Sequence, residues 1–197
     1  MKKKNARVPK RFLSVKKVFE QVARISIFEK RHTAIKVFEK SGNGVLVTHS
    51  AGGGPGWDTA IASDKVKGVI ALEPGTFPFP KGKLPEVEKT TSPFPASGYE
   101  VSETEFKKLT KIPIVVYFGD NIPTELTDNW GLDNWRIRVN LAKKWEKLMN
   151  EAGGDVKIVM LPDIGIKGST HFMMADLNNR EVANAMEKWM REKGLAK

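Results

Sequence analysis

The chain has 197 residues, 40% of them hydrophobic and 28% charged, which fits a folded domain with a real core and excludes a disordered polyelectrolyte. No apolar run approaches the roughly 20 residues a membrane-spanning helix needs, and the absence of cysteine excludes disulfides and thiolate metal sites. The net charge of +10 belongs to the start of the chain: residues 1–40 carry 13 Lys/Arg against 3 Asp/Glu, and residues 41–197 carry 20 of each.

Residues 1–31 therefore read as a basic, mostly helical arm, and residues 32–197 as the folded domain. A basic arm can meet nucleic acid or an anionic surface. No aromatic stacking pattern accompanies the charge here, which weighs against nucleic acid and favours a solvated face. The Met1-Lys-Lys-Lys start lacks the uninterrupted apolar stretch of a signal peptide, because Lys16, Lys17 and Glu20 break it. A cytoplasmic location is the resulting expectation.

The spacing predicts a helix over 33–40, stopped by Gly42-Asn43-Gly44, and then a short strand at Val45–Thr48. A helix around 57–63 and a strand at Val66–Leu72 follow. This strand–turn–helix–strand order argues for a parallel sheet covered on both faces. Glu73-Pro74-Gly75 opens a long Pro-rich stretch to about Ala96, of a length usually functional or mobile in a compact domain. A strand at Ile114–Phe118, an amphipathic helix over about 134–152, a strand at Val156–Leu161 and a closing helix over about 179–194 complete the chain. Trp135, Val139, Ala142, Trp145 and Met149 share one side of the long helix.

The sharpest motif is Thr48-His49-Ser50-Ala51-Gly52-Gly53, lying between a strand and a helix. A nucleophile elbow requires that context: a serine in a strained turn, small neighbours, and the next backbone N–H aimed at the developing oxyanion. The usual G-x-S-x-G reads T-x-S-x-G, with Thr48 at the first glycine position and Gly52 at the second. Ser50 is then the candidate nucleophile and the Ala51 amide an oxyanion donor. A dinucleotide-binding turn competes for the same segment, with Glu73 at the position of a ribose-binding acid. It fails at Trp57, where a third glycine would be needed, and no Lys-Ser/Thr follows the glycines to make a P-loop.

A serine nucleophile needs a base, and the histidines are His32, His49 and His171. His32 precedes the elbow, and His49 is too close to Ser50 in sequence to face it. His171 follows the last strand, giving the order with histidine last. An imidazole there can move protons near neutral pH. Two carboxylates could orient it: Asp120 after the third strand or Glu73 after the second. The residue patterns alone leave these two open. His49, Phe77, Phe172 and Met173 are candidates for the pocket wall, with no metal and no cofactor called for.

The segments Leu46–Gly53, Val69–Gly75, Ile114–Asp120 and Gly168–Met174, in this order and spacing, resemble a bacterial serine esterase group of the α/β-hydrolase superfamily. The resemblance spans roughly residues 33–195. It implies an α/β-hydrolase-like parallel sheet of four to five strands with flanking helices, and a triad of Ser50, His171 and Glu73, with Asp120 as the alternative acid. It also implies cofactor-free hydrolysis of a small-molecule carboxylic ester through an acyl-enzyme.

Only 44 residues precede Val45, too few for the strands and crossovers that normally come before the nucleophile strand and supply a second oxyanion donor. The expectation is an N-terminally shortened sheet whose elbow strand is an edge. Residues 24–28 could pair with that edge, or a second subunit could cover it as a homo-oligomer. A catalytically weak remnant kept as an interaction protein is the alternative to an active enzyme, and a nucleotide-binding domain ranks third.

Overall fold

The computed structural model describes residues 27–196, with side chains described from residue 33. Helix α1 (Ile27–Ser41) leads through Gly42 into strand β1 (Gly44–His49). A short 3-10 turn at Ser50–Gly52 runs into α2 (Gly53–Ala62), followed by β2 (Val66–Leu72). Two three-residue strands, β3 (Pro78–Pro80) and β4 (Tyr99–Val101), precede α3 (Glu103–Leu109) and β5 (Pro113–Phe118). Helix α4 (Trp130–Glu151), β6 (Asp155–Met160) and α5 (Asn179–Glu192) complete the fold.

The main sheet has four parallel strands in the order β1-β2-β5-β6. Alternation along its central strands divides the core in two, as a period of two requires. Val69 and Ala71 of β2, with Ile114, Val116 and Phe118 of β5, face a layer containing Trp57, Phe106, Ile137, Trp145 and Met149 from α2, α3 and α4. Ile70, Leu72, Val115 and Tyr117 face the other way, onto Val182 and Trp189 of α5. From Val69 in β2 and Ile114 in β5 onward the central strands are apolar because both faces are covered, while Lys67 near the start of β2 is exposed.

Several elements depart from expectation. Helix α1 starts at Ile27 and so crosses the boundary expected at residues 31–32. It also removes Ile27 and Phe28 from the edge strand expected at 24–28, whose first three residues lie outside the described part. Among the described residues β1 pairs with β2 alone. Helix α3 is an addition to the expected elements, and its signal is local: Ser102 and Glu105 form a reciprocal capping box, the side chain of each bonding the other's backbone N–H.

The Pro-rich stretch is tied down along its length. Its β3 pairs in parallel with β4 in a second small sheet, and α4 holds the segment beyond. Arg136 donates to Glu88 Oε1 at 2.5 Å and to the Lys89 carbonyl at 2.8 Å. Asp133 accepts from Thr90 Oγ1 at 2.6 Å and from the Thr91 amide at 2.8 Å, while its other oxygen takes the Arg136 Nε–H at 2.6 Å. Asp133 is fully buried, and the Arg136 guanidinium, joined by these donors, holds its carboxyl far below the usual range against the opposing effect of burial.

Candidate active site

The candidate site lies above the carboxyl ends of β1, β2 and β5. Ser50 directly follows β1 in a left-handed conformation with φ 53°. That strain is what an elbow imposes on a residue with a Cβ. Two glycines make the turn possible, and neither is the one expected at Gly52, where an added Cβ would meet nothing within 4 Å. A Cβ on Gly53 would come within 2.6 Å of Pro74 Cβ, and one on Gly56 within 2.4 Å of Thr48 Cγ2. The threonine in place of the motif's first glycine is therefore accommodated by a glycine across the turn in α2.

Glu73 follows β2, also in a left-handed conformation (φ 43°), and only 2% of its surface is exposed. Its amide donates to the Tyr117 carbonyl at 2.9 Å, and its Oε1 accepts the Gly119 N–H at 2.7 Å. Gly119 must be a glycine here: a Cβ would stand 2.7 Å from the Ser169 carbonyl oxygen and 3.0 Å from Glu73 Oε1. The loop after β6 crosses the end of β5 at this point, with the Asp120 amide donating to the Ser169 carbonyl at 2.8 Å. That crossing carries His171 over the ends of β2 and β5.

The three side chains meet. His171 donates its Nδ1–H to Glu73 Oε2 at 2.6 Å, and its Nε2 stands 2.9 Å from Ser50 Oγ as the acceptor of the hydroxyl proton. Asp120 does not join them. Its carboxylate accepts from the Gly168 and Asn121 amides at 2.8 and 2.6 Å, and these two bonds, Gly168 foremost, hold its pKa below the ordinary carboxylate range. It braces the start of the histidine loop. The Ala51 amide belongs to the first turn of the 3-10 helix, where backbone N–H groups have no partner within the helix.

Aromatic rings pack around the imidazole. His49 lies 4.5 Å from His171 between ring centroids and donates its Nε2–H to the His171 carbonyl at 2.8 Å. Phe172, 59% exposed, lies 5.2 Å away in an edge-on arrangement. Trp135 of α4 also places its ring 4.5 Å from His171 and carries the Arg138 guanidinium at 5.4 Å from its centroid. From its spacing Trp135 is expected only on the apolar side of its helix, and the structure adds this contact with His171. Two expected pocket residues belong to the core instead. Phe77 is fully buried, 5.9 Å from Trp57 and 5.1 Å from Trp145 between ring centroids. Met173 is fully buried under α5. Phe172 and Met173 lie in a turn closed by the Ala175 amide on the Phe172 carbonyl at 2.7 Å, where Phe172 faces solvent and Met173 faces the core.

No protein-family model matches the chain. It is 26% identical over 191 residues to "Probable secreted lipase phiG" of Fungal sp. (strain ATCC 74256), with 83% of this chain and 49% of that protein covered. Among solved structures it is similar to the one described as "The Atomic Resolution Structure of a Novel Bacterial Esterase", with TM-score 0.59 and 25% identity over 85% of this chain and 42% of that one. The chain thus spans about half the length of the curated relative it matches, and less than half of the esterase. With its parallel four-stranded sheet and flanking helices, the chain has an α/β-hydrolase-like fold, similar to that of the esterase and, in sequence, to the lipase.

Proposed function

We propose that this chain hydrolyses carboxylic esters by acyl transfer through Ser50. The observation that carries the reading is the unbroken relay of two hydrogen bonds, 2.9 Å from Ser50 Oγ to His171 Nε2 and 2.6 Å from His171 Nδ1 to Glu73 Oε2. Glu73 selects the tautomer with the proton on Nδ1, which leaves Nε2 free to accept. It also supplies the negative charge that stabilises the imidazolium once it forms. The similarity to an esterase and to a lipase supports the ester as substrate class.

In this mechanism Ser50 Oγ attacks the ester carbonyl carbon while its proton passes to His171 Nε2. The carbonyl oxygen gains the negative charge, against the Ala51 amide. Breakage of the bond to the alcohol oxygen follows, and His171 returns the proton to that leaving oxygen. Water then attacks the acyl-Ser50 ester and gives its proton to His171. Collapse releases the acid and restores the Ser50 hydroxyl.

The test is steady-state hydrolysis of p-nitrophenyl butyrate by the full chain and by Ser50→Ala and His171→Ala. Each substitution is expected to reduce the enzymatic rate to background. Undiminished turnover in either would refute the assignment.

A further inference from the structure

Among the described residues Arg138 is a cation without an acid. One helical turn after Trp135, it lays its guanidinium over the indole. Among the described residues its hydrogen bonds run from Nη1 alone, to the backbone carbonyl and side-chain oxygen of Asn134. No carboxylate there pairs with it, whereas its neighbour Arg136 is paired with both Asp133 and Glu88. Arg138 is nevertheless partly buried, and loss of water lowers its pKa from the usual guanidinium value.

A guanidinium carries five N–H donors in a planar fork that matches a carboxylate. Contact with the indole face offsets some of the charge, but it uses none of those donors in plane. A partly desolvated cation whose Nε and Nη2 have no partner among the described residues costs free energy until an anion arrives. The location gives that anion a meaning: one ring, Trp135, contacts both the guanidinium and the His171 imidazole.

We infer that Arg138 receives a carboxylate of the substrate, so that the ester preferred by this site is a hemiester of a dicarboxylic acid. The inference rests on the Ser50 reading above and adds a substrate class to it. The ester carbonyl meets Ser50, the methylene chain spans the distance past Trp135, and the free carboxylate takes the fork of Arg138. A neutral acyl chain of the same length gains only the apolar contact.

The experiment compares mono-p-nitrophenyl esters of glutaric, adipic and suberic acids with p-nitrophenyl esters of the neutral monoacids of equal length. Wild type is expected to favour the hemiester at one of these lengths in kcat/KM. In Arg138→Gln that preference falls by about 10- to 100-fold, the range for a lost hydrogen bond to a charged group, chiefly through KM. Arg138→Lys keeps part of it. A hemiester preference that is absent, or unchanged in Arg138→Gln, overturns the inference and leaves the Ser50 mechanism standing. Should wild type cleave none of the esters, the Ser50 mechanism falls, and free adipate decides the anion site. Displacement of the Trp135 indole N–H resonance in wild type, lost in Arg138→Gln, supports it. No displacement overturns it.

Discussion

Glu73 and His171, 98 positions apart, are joined by a 2.6 Å hydrogen bond between Oε2 and Nδ1, and the second carboxylate oxygen of Glu73 is fixed by the Gly119 amide at 2.7 Å. The acid is therefore held at both oxygens, by the imidazole it orients and by the backbone at the end of the neighbouring strand. Glu73→Gln keeps the shape but can present an N–H to Nδ1, favouring the wrong tautomer. We predict a fall in kcat of about 10⁴-fold, the size seen when a triad acid becomes an amide. Asp120→Asn, which touches neither Ser50 nor His171, is expected to cost far less, and steady-state kinetics on one chromogenic ester separates the two.

Ser50 pays for its position in backbone strain. A serine at φ 53° lies where glycine rests more easily. Ser50→Gly is expected to abolish turnover while stabilising the fold by about 1 kcal/mol, read as a rise in Tm of about 2–4 °C. Calorimetry on the two proteins checks the sign.

Thr48 and Gly56 are expected to be coupled. Gly56→Ala puts a Cβ within 2.4 Å of Thr48 Cγ2 and should destabilise by about 1–3 kcal/mol. Thr48→Ser removes Cγ2, leaving the next contact at an ordinary 3.4 Å, so the double substitution should recover most of the loss. A double-mutant cycle by urea unfolding measures that coupling.

The pH dependence of stability has a contribution from Asp133. Its folded pKa is depressed by Arg136 and by the Thr90, Thr91 and Thr127 donors. A depressed carboxylate contributes stability above its unfolded pKa, about 3.9, and that contribution fades as pH falls toward the folded value. Asp133→Asn should therefore lower Tm at neutral pH, with the deficit shrinking below about pH 4. Tm against pH for wild type and variant tests it.

Much of the site was legible because an elbow, a histidine after the last strand and an acid after the next strand are local signals in a fixed order. The glycine logic was not, since the tight contacts of Gly53 and Gly56 are with Pro74 and Thr48, which sequence spacing does not reveal. Trp135 was hidden by a length mismatch. Helix α4 has 22 residues, about 33 Å, while the six-residue strands beside it span about 20 Å. Its first turns overhang the strand ends, so one apolar side serves two purposes: Trp145 fills the core, and Trp135 reaches His171. Periodicity sees a single stripe. Phe77 was misplaced for the opposite reason, because a Pro-rich loop reads as surface until the α4 anchors that press it onto the core are known.

Labelling of the full chain with a fluorophosphonate, followed by intact mass and peptide mapping, tests the acyl-transfer mechanism most directly. A single adduct on Ser50, slowed in Glu73→Gln and absent in His171→Ala, is the predicted result. Folded protein that takes no label, or takes it on another residue, would contradict it.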